Sequence, residues 1–291
     1  MALQSPPPII THAGEILARY DVILCDVWGV LHDGRKAYDA AGSALAEFRR
    51  RGGTVILVSN APVPAAGVET VLRSTGVRRD CWDSIVSSGD IALAHIAERG
   101  FKRLHRVGPA GRDGLLFRAL PGADTPIADA DAIVCSGLVD DINETVGDYR
   151  PLIDAGLARA LPFVCANPDL VVDVGGVRHL CAGSIAEVYE REGGAVFWAG
   201  KPHPSAYGSA VKRAAELRGG AVPLTRLLGI GDAVRTDLAA AAGLGVDAIF
   251  VTSGIHNEAT MIGGEIDPMM LARLFAKGGP GAIAATALLR W

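Results

Sequence analysis

Short β-branched apolar runs alternate with Ala- and Leu-rich stretches of helical period along most of this chain. Val22–Cys25, Thr54–Val58, Ala195–Trp198, Leu227–Ile230 and Ala248–Val251 read as strands. Ala40–Arg51, Pro204–Arg218 and Thr236–Leu244 read as helices between them. Strands that are apolar at every position are covered on both faces, and strands alternating with helices build parallel sheets. The pattern therefore predicts an α/β fold with a doubly wound, Rossmann-like parallel-sheet core.

A second set of runs lies between Ser87 and Gly194: Arg103–Val107, Ala132–Cys135 and Phe163–Cys165, with helical stretches at Ile91–Glu98 and Asn143–Ala155. That length is domain-sized. We read a discontinuous first domain, residues 1–86 and 195–291, with a second α/β domain, residues 87–194, inserted in it. Two sequential domains with a break near Gly194 fit the strand pattern equally. The proline-bearing first ten residues read as an extended, loosely tethered lead, followed by a short helix from Thr11 to Arg19 with Thr11 as its cap. The Ala/Gly/Leu-rich stretch from Met261 to Trp291 reads only as packing material.

Composition narrows the class. The 291 residues are 49% hydrophobic and 21% charged, enough apolar material for a large core. The net charge of −4 and the 5% aromatic share lack the basic footprint and stacking platforms of a nucleic-acid binder. Five scattered cysteines without a C-x-x-C spacing suggest buried, reduced thiols. MALQSPPPII has no basic segment followed by an apolar stretch, and no apolar run approaches membrane-spanning length. A cytoplasmic protein without membrane or nucleic-acid partners is expected.

In open parallel sheets ligands bind beyond the carboxyl ends of the strands, so the residues after each run carry the chemistry. The first run ends in Asp26 and the second in Ser59-Asn60. Gly200-Lys201-Pro202 follows the third, and Gly231-Asp232 closes the fourth, with Asp237 five residues on. Clustered carboxylates repel one another unless a hard cation with oxygen ligands neutralises them, and magnesium suits such a set. A hydroxyl and an ammonium group nearby would orient phosphate oxygens. Taken singly, each has a plainer duty: Asp26 as a turn former, Ser59-Asn60 as a helix cap, Lys201 as a solvated surface lysine. Their joint occurrence, in order and each at a strand end, favours the functional reading.

These residues resemble the four ordered motifs of the haloacid dehalogenase-like superfamily: Asp26-Val27-Trp28-Gly29-Val30-Leu31, Ser59-Asn60, Gly200-Lys201-Pro202, and Gly231-Asp232 with Thr236-Asp237. The insert resembles the class IIA α/β cap domain, and Cys165-Ala166-Asn167-Pro168-Asp169 resembles that cap's Asn-Pro-Asp segment. The resemblance runs from Asp21 to Gly254. It implies a magnesium-dependent phosphatase-like hydrolase acting on a small phosphorylated metabolite. Asp26 would be the nucleophile that forms an aspartyl-phosphate. Mg2+ would be held by Asp26, the main-chain carbonyl of Trp28 and Asp232, with Asp237 in support. Ser59, Asn60 and Lys201 would bind phosphate, and Asn167 and Asp169 would face the substrate. Caps of this class often pair, which implies a homodimer.

One position departs from the family pattern D-x-D-G-V-L: its second aspartate, the acid–base group, is Trp28 here. An indole N–H donates but cannot accept, so it cannot exchange a proton with leaving group or water. The nearest replacements are His32 and Asp33, although His-Asp-Gly is also ordinary turn chemistry. Turnover of alkyl phosphates is expected to be slow, and the alternative is a catalytically impaired protein that binds a phosphorylated ligand or partner. Dinucleotide and zinc readings lack their motifs: there is no complete G-x-G-x-x-G opening the first helix and no H-x-H or H-E-x-x-H.

Overall fold

The computed structural model describes residues 5–174 and 177–291. In chain order its strands are β1 (Val22–Cys25), β2 (Thr54–Ser59), β3 (Ser84–Ser87), β4 (Leu104–Val107), β5 (Ala132–Cys135), β6 (Phe163–Cys165), β7 (Val171–Val174), β8 (Val177–Leu180), β9 (Val196–Trp198), β10 (Leu227–Gly231), β11 (Asp247–Val251), β12 (Met261–Ile262), β13 (Glu265–Ile266) and β14 (Ala284–Thr286). They form a six-stranded sheet in the order β14-β11-β10-β1-β2-β3 and a four-stranded sheet in the order β4-β5-β6-β9. β7–β8 and β12–β13 are separate hairpins. The chain divides into two compact units. One comprises the residues up to Ser59, Glu69–Val86 and Ala206–Trp291; the other comprises Asn60–Val68 and Ser87–Ser205.

In the first unit β1 lies between β2 and β10, parallel to both, with Val22 opposite Thr54 and Leu227. The chain extends the sheet through β2 and β3 on one side and through β10, β11 and β14 on the other. The strand order therefore reverses between β1 and β10, the place where open sheets of this kind bind ligands. Every residue of β1 is buried, as expected of a central strand covered on both faces. Ala41, Leu45 and Phe48 form the buried stripe of the helix Asp39–Arg50, one face at helical spacing. Truncating a fully buried strand residue such as Leu24 to Ala would cost about 2–5 kcal/mol.

The second unit has its own core, in which Ile133, Phe163, Ile153, Ile185 and Tyr189 pack together. The Tyr189 hydroxyl donates to the Leu161 carbonyl at 2.7 Å, which satisfies its buried polar end. Ser87 caps the helix Ser88–Arg99 by accepting from the Asp90 N–H, and left-handed Gly100 ends that helix.

Several expectations change. The run Ala195–Trp198 does not belong to the first sheet: β9 pairs in parallel with β6, Phe163 opposite Val196. An apolar run alone does not say which sheet takes it. Met261–Trp291 contributes more than packing, because β14 extends the first sheet beside β11. The lead is tied to that edge, with Ala285 N–H donating to the Pro8 carbonyl and Ile10 N–H to the Ala285 carbonyl. Only residues 1–4 of the lead lie outside the described residues. The first helix covers Gly14–Leu17 with Ala13, not Thr11, at its start. The stretch expected at Asn143–Ala155 begins later, because the Asp140 carboxylate holds Asn143 in a turn and Thr145 with Asp148 forms the capping box. The helix then runs Arg150–Ala158. All five cysteines are buried free thiols. No helix among the described residues is long and apolar enough to cross a membrane.

Candidate active site

Asp26 and Asp232 follow the adjacent strands β1 and β10, at the point where the sheet order reverses. The Asp26 N–H donates to the Ile230 carbonyl at 2.8 Å, which carries the ladder one residue past β1 and fixes the start of its loop. Asp237 comes from a π-helical turn, Val234–Leu238, and its Oδ2 accepts from the Ala233 N–H at 3.1 Å. One carboxylate oxygen from each of the three aspartates lies within 4.8 Å of the others. Asp232 and Asp237 are buried and Asp26 is half-buried.

Three glycines make room for this cluster. A Cβ at Gly29 (φ +79°) or at Gly254 would collide with the Asp232 carboxylate, and one at Gly231 with Asp237. The Ile255 N–H donates to Asp232 Oδ2 at 2.8 Å. Gly254 and Ile255 were not singled out from sequence, although they lie just past the apolar run of β11, where a strand-end survey would have found them. An oxygen-only set of close carboxylates, two of them buried, fits a hard divalent cation, whose charge offsets their mutual repulsion.

The loop between Asp26 and Ala37 is pinned largely by bonds of its own. Gly29 N–H donates to the His32 carbonyl, Leu31 N–H to that of Val27 and Tyr38 N–H to that of Leu31. The half-buried Trp28 indole rests on Gly34 (φ +86°), where a Cβ would meet its six-membered ring. His32 meets the indole edge-on, with centroids 5.1 Å apart and planes at 73°. Only 1% of His32 is exposed, and burial pushes its pKa down to about 4. Its Nδ1 accepts from the Gly34 N–H at 2.9 Å, so the neutral ring carries its proton on Nε2, which has no hydrogen-bond partner among the described residues. Asp33 Oδ1 accepts from the Arg35 and Lys36 N–H groups; the Lys36 amide is the main cause holding its carboxyl below the ordinary range. Both residues are engaged as turn formers, the plainer duty of a His-Asp-Gly sequence.

Ser59 closes β2, beside β1, and is buried. Asn60 opens the second unit, where its amide acts as a strut. Its Oδ1 accepts from the Lys201 N–H at 2.8 Å, while its Nδ2 donates to the Lys201 carbonyl at 3.0 Å and to Asp169 Oδ1 at 2.9 Å. Ser88 Oγ adds a long contact to Oδ1 at 3.5 Å. These partners engage the side-chain amide in bracing Lys201 and the Asn-Pro-Asp segment. Asn167 Oδ1 accepts from the Asp169 N–H at 3.1 Å, the turn that holds the Asn-Pro-Asp segment. Lys201 is 2% exposed, unlike a solvated lysine. It follows β9, so the expectation that four strand ends of one sheet carry the motifs becomes three strand ends of the first sheet and one of the second. Gly200, also missed as a positioning residue, passes so close to Ser88, Asn60 and Pro168 that a Cβ would not fit.

The pattern of the haloacid dehalogenase-like hydrolase family matches residues 23–119, and a second pattern of hydrolases like it matches 198–276. The crystal structure of a hydrolase of the haloacid dehalogenase-like family from Brucella suis is similar over 97% of this chain and 100% of that one, at 37% identity and a TM-score of 0.83. This chain belongs to the haloacid dehalogenase-like family. It is a hydrolase of that family with a class IIA cap, and its core is the parallel sheet that carries Asp26 and Asp232.

Two further crystal structures share the fold at lower identity. A 4-nitrophenylphosphatase from Thermotoga maritima covers 94% of this chain and 96% of its own, at 21% identity and a TM-score of 0.68. A glycerol phosphate phosphatase from Mycobacterium tuberculosis, in complex with calcium, covers 82% of this chain and 68% of its own, at 22% identity and a TM-score of 0.60. No curated protein matches this chain.

Proposed function

We propose that this haloacid dehalogenase-like hydrolase is a magnesium-dependent phosphatase that acts on a small phosphorylated metabolite through an aspartyl-phosphate on Asp26. The observation that carries this reading is the convergence of Asp26, Asp232 and Asp237 at the sheet's switch point. A binding scaffold needs no such buried concentration of like charge. Asp26, the main-chain carbonyl of Trp28 and Asp232 are the proposed ligands of Mg2+, with Asp237 in support. When bound, the ion supplies positive charge that lets an anionic carboxylate approach an anionic phosphate.

Asp26 attacks phosphorus, the bond to the leaving oxygen breaks, and water later takes the phosphoryl group. Ser59 is assigned to the phosphoryl oxygens from its position at the end of β2, and Lys201 from its motif. Asn167 and Asp169 hold the segment that lines the cap's side of the substrate. The cap selects the substrate, and the phosphatase names of the two more distant structures support a phosphate ester or anhydride as its class.

Phosphate release from 4-nitrophenyl phosphate and acetyl phosphate, with magnesium and with EDTA, tests this reading. Release that depends on magnesium and falls to background in Asp26→Asn is the expected result. No release from either compound at high enzyme concentration would favour a protein that only binds a phosphorylated ligand or partner.

A further inference from the structure

On the proposed reading of Asp26 as nucleophile, the loop after it offers a group that can take a phosphoryl, while residue 28 offers neither acid nor base. Residue 28 is an indole seated on Gly34, with no lone pair to offer water. The one nitrogen of His32 able to accept a proton already accepts from Gly34, and the ring is sealed from solvent. The Asp33 carboxylate is fixed in its turn by two backbone amides. Neither Trp28 nor the sealed His32 can protonate a departing alkoxide or take a proton from attacking water, and Asp33 is held in its turn away from that duty.

Resting on the reading of Asp26 as nucleophile, we infer that the substrates are phosphoryl donors whose leaving oxygen needs no proton, anhydrides of the acyl-phosphate type, and that the phosphoryl group persists on Asp26. In the first step an Asp26 oxygen bonds to phosphorus and the phosphorus–oxygen bond to the acyl group breaks. The electron pair leaves with a carboxylate that stays unprotonated at neutral pH. In the second step a water oxygen bonds to phosphorus, the bond to Asp26 breaks, and Asp26 recovers its electron pair. The water's proton passes to solvent without a side chain to receive it. Only this second step suffers from the missing base, so it limits turnover. General-base assistance is typically worth ~10²–10⁴-fold.

The experiment is to mix the full chain with acetyl phosphate in magnesium buffer, quench in acid and weigh the intact protein over time. The expected result is rapid gain of one phosphoryl mass by most chains, well ahead of free phosphate, with no gain from glycerol phosphate and none in Asp26→Asn. Trp28→Asp should shorten the life of the label by about 10²–10⁴-fold. Trp28→Asn, which adds a polar group without a titratable one, should keep it. Steady phosphate release over many turnovers with no labelled chain would overturn the inference and leave Asp26 as nucleophile in place. Neither label nor phosphate, from wild type or Trp28→Asp, would overturn both.

Discussion

Two ends of one short loop are built to opposite purposes. At Asp26 the backbone holds a carboxylate beside two others, and Gly29, Gly231 and Gly254 are cleared of side chains so that those carboxylates can approach. A few residues on, Trp28, His32 and Gly34 close on one another in an apolar turn that excludes water from the histidine. The first end concentrates charge and the second removes it. With Asp26 as the proposed nucleophile, the nucleophilic and the proton-transfer halves of such a site are separable, because they rest on different residues of the loop.

Gly254→Ala places a methyl where the Asp232 carboxylate lies. Loss of such a supporting contact typically weakens metal affinity by about 10–100-fold. A magnesium titration of phosphate release should shift by that factor. Gly243→Ala, at a helical position with open space around it, should leave the titration where it is. Equal titrations for the two variants would show that Asp232 does not need the space.

The apolar end can be sharpened by pH. His32 titrates near 4 when folded and near its ordinary value of 6.5 when unfolded, so between these values the unfolded chain binds the extra proton. Its contribution to stability is therefore complete above the unfolded value and is lost as pH falls toward the folded one. The loss between pH 7 and pH 5 should be about 2 kcal/mol. Urea midpoints of wild type should fall over that interval by more than those of His32→Asn, which keeps an acceptor near the Gly34 N–H without titrating there. Parallel midpoints would mean that His32 is open to water.

The sequence made much of this legible. β1, β2, β10 and β11 are continuous apolar runs, and the aspartates after β1 and β10 meet because those strands are neighbours, a consequence of doubly wound order. Trp28 was visible as a departure because a donor-only side chain stands where an acceptor belongs. What sequence did not show depends on contacts between distant residues. Asn60 has the same local surroundings as a helix cap, and only folding brings it to Lys201 and Asp169. The run of β9 is as apolar as those of the first sheet, yet it pairs with β6. Gly254 gained meaning only once Asp232 was seen against it.

On the proposed reading, a working nucleophile at Asp26 stands beside a missing acid–base group at Trp28. The measurement that tests this pairing is the ratio of first-turnover rates of Asp26-dependent leaving-group release, acetate from acetyl phosphate against glycerol from glycerol phosphate, for wild type and Trp28→Asp. The account predicts a large preference for acetyl phosphate in wild type, reduced by about 10²–10⁴-fold in the variant through faster reaction of the alkyl ester. Comparable rates on both substrates in wild type, unchanged by Trp28→Asp, would contradict it.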